Sequence, residues 1–238
     1  MQKVFLLILL SIVSLGIKAQ FSVGVRQGYG AHGVYLEPPS IEKYQTPYLL
    51  SNTGLVVVFN NKNNAGLQME INYAKKGWQE EDTTVQGSYF KRTINYLEMP
   101  FFSHWEIGYG KVRLLIFAGP YFAFKLSEST DSANFSHIWN EYHLYKHYEQ
   151  EVKNFDFGIK AGLGIKYNIT SRIGIFIDAR YDIQIAGGSD IFIDRPNGIQ
   201  ASRLKEIGGT FGIVWHIIPQ ELKDIKKGYI PKEDLFED

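Results

Sequence analysis

Residues 155–169 read FDFGIKAGLGIKYNI, and two kinds of residue alternate along the whole stretch. Every odd position is apolar, whereas every even position is charged, polar or glycine. A period of two over this length is typical of a β-strand with one apolar and one polar face. A soluble barrel and a membrane barrel can both show this pattern, and they differ in whether the apolar face points inward or outward. The first question is therefore which face lines the interior.

The same alternation recurs along the chain and predicts eight strands. It is nearly as strict at 172–186 (RIGIFIDARYDIQIA), and it is clear at 65–73 and 205–217. The segment 53–60 (TGLVVVFN) favours a strand by its residue types but shows no clear face. The remaining predicted strands alternate less cleanly and cover 21–30, 95–107 and 111–124.

The connections between the predicted strands alternate between long and short. The short ones are NNKNN, GYG and TS, and the long ones cover about 31–50, 75–92, 126–153 and 187–203. In an antiparallel sheet this order collects every short turn at one end. Outer-membrane barrels combine short periplasmic turns, long external loops and an even strand number from eight upward. The sequence therefore predicts an all-β fold, an eight-stranded antiparallel up-and-down transmembrane β-barrel with four long external loops.

The composition of the two faces predicts which one lines the interior. The interior of an eight-stranded barrel is only wide enough for side chains or for one small ligand. The apolar face is full of bulky Phe, Tyr, Trp, Leu and Ile residues. The opposite face supplies glycines at positions 24, 28, 119, 158, 162, 164, 208 and 212. Because a narrow interior favours the glycine-rich face, we expect the apolar face to contact lipid.

Charged residues on the predicted inner face balance one another in sign. Confined charges are tolerated when they are paired or hydrated. We therefore predict an ionic network that crosses the lumen and closes it, with a narrow hydrated conduit as the alternative. The predicted members are Arg26, Glu70, Glu98, Arg113, Asp156, Lys160, Lys166, Arg172, Asp178, Arg180, Asp182 and Glu206.

Aromatic residues of the apolar face fall near the predicted strand ends. Girdles of aromatic side chains lie at both membrane interfaces of such barrels. The preference of aromatic residues for strands is an alternative explanation. The predicted interfacial residues are Tyr29, Tyr73, Trp105, Phe155, Tyr167 and Trp215.

The two ends of the chain differ from the predicted barrel. Residues 1–20 contain Lys3 followed by an apolar run from Val4 to Gly16. This run is too short to cross a bilayer as a helix, so residues 1–20 are predicted to be a secretory signal peptide, with an anchoring helix as the alternative. The barrel is predicted to occupy 21–218. The charged segment 219–238 begins with Pro219, which ends the last strand, and is predicted to be a periplasmic tail.

The composition argues against several kinds of chemistry. The formal net charge is zero, with 25 basic and 25 acidic residues, so no nucleic-acid partner is expected. The chain has no cysteine, which excludes disulfides, thiolate metal sites and cysteine nucleophiles. Parts of a hydrolytic site are offered by His32, His137, His143 and His147 with Ser127, Ser129 or Ser136, but no spacing picks out a triad. We expect a protein that is not an enzyme and has no cofactor.

One loop segment raises the question of metal binding. In HIWNEYHLYKHYEQE (137–151), His143 and His147 lie four residues apart. On a helix they would share one face and could bind a metal with Glu151 or His137. The glutamate that a metalloprotease motif needs beside the first histidine is missing, because residue 144 is leucine. An amphipathic loop helix is the favoured interpretation, so no metal is predicted and His143 and His147 stand as the only candidates.

Four segments carry a family resemblance, namely NYLEMPFF, LLIFAGPYFAFKLS, FDFGIKAGLGIKY and IFIDARYDI. In this order they resemble the PorT-like outer-membrane β-barrel family of Gram-negative bacteria, over about residues 21–217. The resemblance implies an integral outer-membrane protein in contact with lipid, and its founding member is tied to protein secretion across that membrane. Such barrels often end at an aromatic residue of the last strand, whereas this chain continues beyond Trp215.

The sequence is compatible with three functions. The first is a non-catalytic structural or accessory role, with envelope or secretion proteins contacted through the external loops or the periplasmic tail. The second is a surface binding module that acts through the loops at 126–153 and 186–203, which are rich in turn and contact residues. The third is a narrow transport channel.

Overall fold

The structure is a computed structural model, and it describes eight stretches of the chain. Nearly all of the predicted signal peptide and periplasmic tail lie outside these residues, as do His143 and His147. No helix in the described stretches is long and apolar enough to cross a membrane. The described residues are 20–37, 45–61, 65–81, 85–108, 110–134, 150–185, 191–193 and 201–219.

The described part of the chain forms nine β-strands, of which eight are long. Every pairing between them is antiparallel. The strands are β1 (Gln20–Glu37), β2 (Gln45–Thr46), β3 (Tyr48–Asn60), β4 (Ala65–Glu81), β5 (Tyr89–Ile107), β6 (Val112–Ala133), β7 (Phe155–Asn168), β8 (Ile173–Gln184) and β9 (Ala201–His216).

The eight long strands close into a ring. β1 pairs with both β3 and β9, and β5 pairs with both β4 and β6, so that each long strand has two neighbours. The order around the ring is β1, β3, β4, β5, β6, β7, β8, β9 and back to β1, while the two-residue β2 pairs with β4. The predicted all-β antiparallel up-and-down barrel is confirmed.

The short connections lie at one end of the ring, between β3 and β4, β5 and β6, and β7 and β8. At the other end the prediction of four long loops was wrong in extent. The strands continue into those loops, β1 as far as Glu37, β4 as far as Glu81 and β6 as far as Ala133. Following the rule for outer-membrane barrels, we call the end of the short turns periplasmic and the opposite end external.

The exposure of the side chains in β7 shows which face points outward. Ile159, Leu163 and Ile165 are 48–58% exposed, whereas Lys160 and Lys166 are at most 4% exposed. A surface of large exposed apolar side chains is what a membrane barrel presents to lipid. The apolar face therefore points outward, as predicted.

Glycines on the inner face make room for aromatic rings in the lumen. A Cβ atom at Gly162 would lie 2.4 Å from Cζ of Phe117. At Gly212 it would lie 2.5 Å from Cζ of Phe176. Both rings belong to an apolar cluster inside the barrel, together with Val56 and other buried residues. The two faces of 53–60 look alike in sequence because the inward-pointing Val56 and Val58 are as apolar as the outward-pointing Leu55 and Val57.

Candidate functional site: the barrel lumen and its external cap

An arginine cluster crosses the lumen between β1, β4 and β8. It consists of Arg26, Glu70, Asp178 and Arg180, all at most 5% exposed. Arg26 Nη1 donates to Glu70 Oε2 at 2.7 Å, and Arg180 Nη1 donates to both oxygens of Glu70 at 2.9 Å. Arg180 Nε also donates to Asp178 Oδ1 at 2.6 Å. Two cations and two anions thus neutralise one another, with the hydrogen bonds that buried charges require.

A lysine cluster contains two ammonium groups and four carboxylates. The Nζ atom of Lys76 lies 2.7 Å from Glu98 and 3.3 Å from Asp182. Nζ of Lys160 lies 2.7 Å and 3.2 Å from the same two carboxylates. Each lysine therefore bridges the same pair of acids from a different strand. The full cluster is Lys76, Glu98, Asp156, Lys160, Asp182 and Glu206.

A third cluster lies near the periplasmic turns. Glu106 is 2.5 Å from Nζ of Lys166 and 3.8 Å from Nε of Arg113. His104 Nε2 is 3.4 Å from the same carboxylate. A cavity of about 20 Å³ beside Glu106 and His216 has room for about one water molecule. The three charged clusters and the apolar cluster around Phe117 and Phe176 therefore fill the lumen from the level of Lys76 to the turns.

These clusters bring together eleven of the twelve residues that the sequence assigns to a lumenal network. Arg172 is the exception, and its assignment was wrong. The alternation in the sequence extends back to Arg172, but β8 begins at Ile173, and Arg172 is an exposed residue of the preceding turn. The sequence interpretation missed Lys76, because it placed 75–92 in a loop. It also left out Glu106, although alternation along β5 puts that residue on the inner face.

A cap closes the external end of the lumen. It is formed by residues 150–154 and 191–193, which pair across the mouth through Val152 and Phe192. Lys153 N donates to the carbonyl oxygen of Ile191 at 2.8 Å, and Ile193 N donates to that of Glu151 at 2.8 Å. Val152, Ile191 and Phe192 are at most 1% exposed.

Aromatic side chains pack beneath the cap. Trp78 is fully buried and meets Phe192 edge to face, with ring centroids 6.1 Å apart. Phe90 also packs near Trp78, with ring centroids 6.4 Å apart. Two residues of β5 and β6 hold the cap from the wall, because Arg92 Nη1 donates to the carbonyl oxygen of Gln150 at 2.8 Å and Lys125 Nζ donates to that of Val152 at 2.5 Å. Burial lowers the pKa of the Arg92 guanidinium, and the Glu128 carboxylate opposes this shift.

The six aromatic residues with a predicted interfacial position all point outward, with exposures between 42% and 52%. Trp105, Tyr167 and Trp215 lie within two residues of the periplasmic ends of their strands. Tyr29, Tyr73 and Phe155 lie nearer the external side of the barrel wall. This arrangement has the form of two girdles, and their interfacial role stays a prediction.

Within the described residues, no three His, Cys, Asp or Glu side chains are grouped so as to hold a metal ion. His32, the one described histidine among the residues weighed for hydrolysis, is buried in the barrel wall, 4% exposed. Ser127 and Ser129, weighed with it, are exposed on β6. The structure therefore does not bring these residues together.

A closed ring, an apolar outer surface and a polar lumen define an integral membrane β-barrel. The chain belongs to the outer membrane protein beta-barrel domain family, whose sequence profile matches residues 16–185. The protein is therefore a β-barrel of the outer membrane. The profile describes outer-membrane barrels broadly and does not single out the PorT-like group.

Several solved structures are similar to this chain, whereas a comparison with curated proteins finds no match. Neisserial surface protein A (NspA) shares 12% identity with a TM-score of 0.43, over 83% of this chain and 97% of its own. OprG from Pseudomonas aeruginosa shares 9% with a TM-score of 0.44, over 84% and 96%. Ail of Yersinia pestis, the attachment invasion locus protein, solved with the heparin analogue sucrose octasulfate, shares 12% with a TM-score of 0.37, over 82% and 99%.

Proposed function

We propose that this protein is a non-conducting, non-catalytic outer-membrane anchor that binds a partner at the cell surface. The contact is made by an external sheet, which consists of residues 75–81 of β4, 89–95 of β5 and 125–133 of β6. The observation that carries this proposal is the combination of a filled lumen with strands that continue beyond the lipid-facing wall.

The filling of the lumen argues against a transport channel. Paired charges occupy the barrel from Lys76 to Lys166, and the apolar cap lies over them. A conducting path would have to break several buried ion pairs, and breaking each pair would leave an uncompensated buried charge. The lumen therefore acts as a rigid support for the surface of the barrel.

The external sheet has the properties of a water-exposed binding surface. Phe90 and Ile94 point inward and are buried, whereas Lys91 and Thr93 on the other face reach solvent. In β6, residues 127–132 carry hydroxyl and acidic side chains, and those of 129–132 are exposed on both faces of the strand. Seven residues of strand reach about 23 Å. Binding residues are commonly found on exposed segments that a rigid scaffold holds in place.

The accessory role in secretion that the PorT-like resemblance implies stays a prediction. For this role a partner contact through the periplasmic segment 219–238 is possible in addition to one through the external loops. The two proposals therefore differ in whether the periplasmic end of the barrel touches a partner.

Site-specific photocrosslinking in the native host separates them. A benzophenone amino acid placed at Ser129 or Asp131 in the external sheet should give a discrete crosslinked product. The same group at the exposed Arg172 in a periplasmic turn, or at Leu163 on the lipid-facing wall, should give none. Products at Arg172 and none at Ser129 or Asp131 would contradict surface binding and support a periplasmic contact.

A further inference from the structure

The barrel wall has a break between β1 and β2. The ladder between β1 and β3 ends at the pair His32 and Tyr48. Beyond it, β2 pairs with β4 and has no ladder to β1 among the described residues. The link that the structure shows is a side chain, since Val34 N donates to Gln45 Oε1 at 3.1 Å.

A cleft of about 330 Å³ lies at this break. Its outer rim is an apolar row across three strands, formed by Ala31, Tyr181 and Ile207, which are register partners in β1, β8 and β9. Gln45, Thr46 and Lys205 form its polar side, and His32 lies at its inner end. The cleft is thus apolar along the rim that faces lipid, and polar where β2 and the external part of β9 line it.

Three polar atoms at the cleft are buried and have no hydrogen-bond partner within the described part of the chain. They are Nε2 of His32, Nε2 of Gln45 and Oγ1 of Thr46. The His32 side chain itself is buried, and its Nε2 atom is 3.8 Å from Glu206, too far for a hydrogen bond. Buried polar atoms are rarely left unpaired, because each costs about 1–3 kcal/mol. The Gln45 amide and the Thr46 hydroxyl can donate, so a ligand with acceptor oxygens would satisfy them.

The position of the cleft points to the headgroup region of the membrane. Along the outer face of β9, apolar Phe211 and Ile207 are followed externally by basic Lys205 and Arg203. Basic residues at this boundary attract anionic lipid headgroups. Glu206 beneath His32 is offset by Lys160, whose Nζ lies 3.8 Å away.

We propose that this cleft binds one anionic amphiphile, with a phosphate headgroup at Gln45, Thr46 and Lys205 and an acyl chain along Tyr181 and Ile207. The phosphate oxygens accept from the amide and the hydroxyl, and the ammonium of Lys205 offsets their charge. The apolar row commits the site to a lipid, since free phosphate would leave it unused.

Native mass spectrometry of the full-length protein in detergent tests this site. The probes are dihexanoyl phosphatidic acid, dihexanoyl phosphatidylcholine and inorganic phosphate. We expect one phosphatidic acid to bind at least tenfold more tightly than either of the other two. The double variant Gln45→Leu/Thr46→Val should lose at least tenfold in this affinity.

A matched control exists on the same wall. Gln27 and Thr53 point outward from β1 and β3 and hydrogen-bond to each other, so Gln27→Leu/Thr53→Val removes the same residue types without touching the cleft. This control should bind as the parent does. Ala31→Phe fills the cleft from the lipid side and should also lose phosphatidic acid binding. Heat-dependent gel mobility shows whether each variant folds. If the double variant does not fold, Ala31→Phe still tests the site. Equal lipid binding in the parent and the cleft variants would overturn the proposal, and so would phosphate bound as tightly as the lipid.

Discussion

Replacing Arg180 with methionine is expected to lower the free energy of unfolding of the barrel by about 3–5 kcal/mol. Arg180 donates to both oxygens of Glu70 and to Asp178, and all three side chains are buried in the lumen. Methionine keeps much of the volume and removes the charge. Glu70 would retain only Arg26 as its cation, and Asp178 would lose its partner. The loss in unfolding free energy therefore reports the cost of leaving buried carboxylates without enough cations.

The matched control is Arg172→Met. Arg172 has the same side chain and lies only eight positions earlier, but it is exposed in a turn. Surface substitutions of this kind change stability by about 0.5 kcal/mol or less. Urea unfolding of both variants in lipid vesicles gives the comparison. Similar losses for the two arginines would show that Arg180 is not part of a buried network.

Replacing Lys76 with methionine should have an effect of similar size, about 3–5 kcal/mol. Lys76 bridges Glu98 and Asp182, and its Nζ atom lies 3.5 Å from Asp156. Lys160 would remain the single ammonium among the carboxylates of the lysine cluster. Lys76 also lies over the ring of Tyr121 at 3.8 Å, so a cation–π contact is lost as well.

The neighbouring residue provides the control for Lys76. Lys75→Met removes an ammonium that projects from the opposite face of β4, outside the lumen. Its expected effect on the urea midpoint in lipid vesicles is within about 0.5 kcal/mol of unfolding free energy. If Lys75 and Lys76 behaved alike, the lysine cluster would not be the stabilising unit described above.

The sequence was sufficient to predict the lipid-facing part of the barrel. Lipid requires apolar side chains outside, so a strand such as 155–169 shows its two faces directly. Beyond the lipid the requirement reverses, because the outside is water. There Trp78 and Phe90 point inward while Gln79 and Lys91 point outward. An alternation that changes its sense within one strand looks irregular, and for this reason the strand extensions were assigned to loops.

The sequence predicts which residues line the lumen better than it predicts which of these residues contact one another. Alternation places Arg180 and Glu70 on inner faces, but their contact joins residues 110 positions apart across the lumen. It depends on strand tilt and register around the closed ring, which no local pattern contains. Lys76 was missed because it lies in 75–92, which the sequence interpretation placed in a loop, and because the pair of adjacent lysines shows no preferred face. The cap joins Val152 to Phe192 through two connections that are irregular in sequence, and nothing in either connection indicates this pairing.

The proposed function depends on closure of this outer-membrane barrel by its paired charges and its cap. Single-channel recording of the purified full-length protein in planar bilayers tests it most directly. The structure predicts no conductance steps above the baseline of the bilayer in protein that shows the heat-dependent gel mobility of a folded barrel. Steady, reproducible single-channel currents from the same preparation would contradict the closed lumen and restore the transport channel.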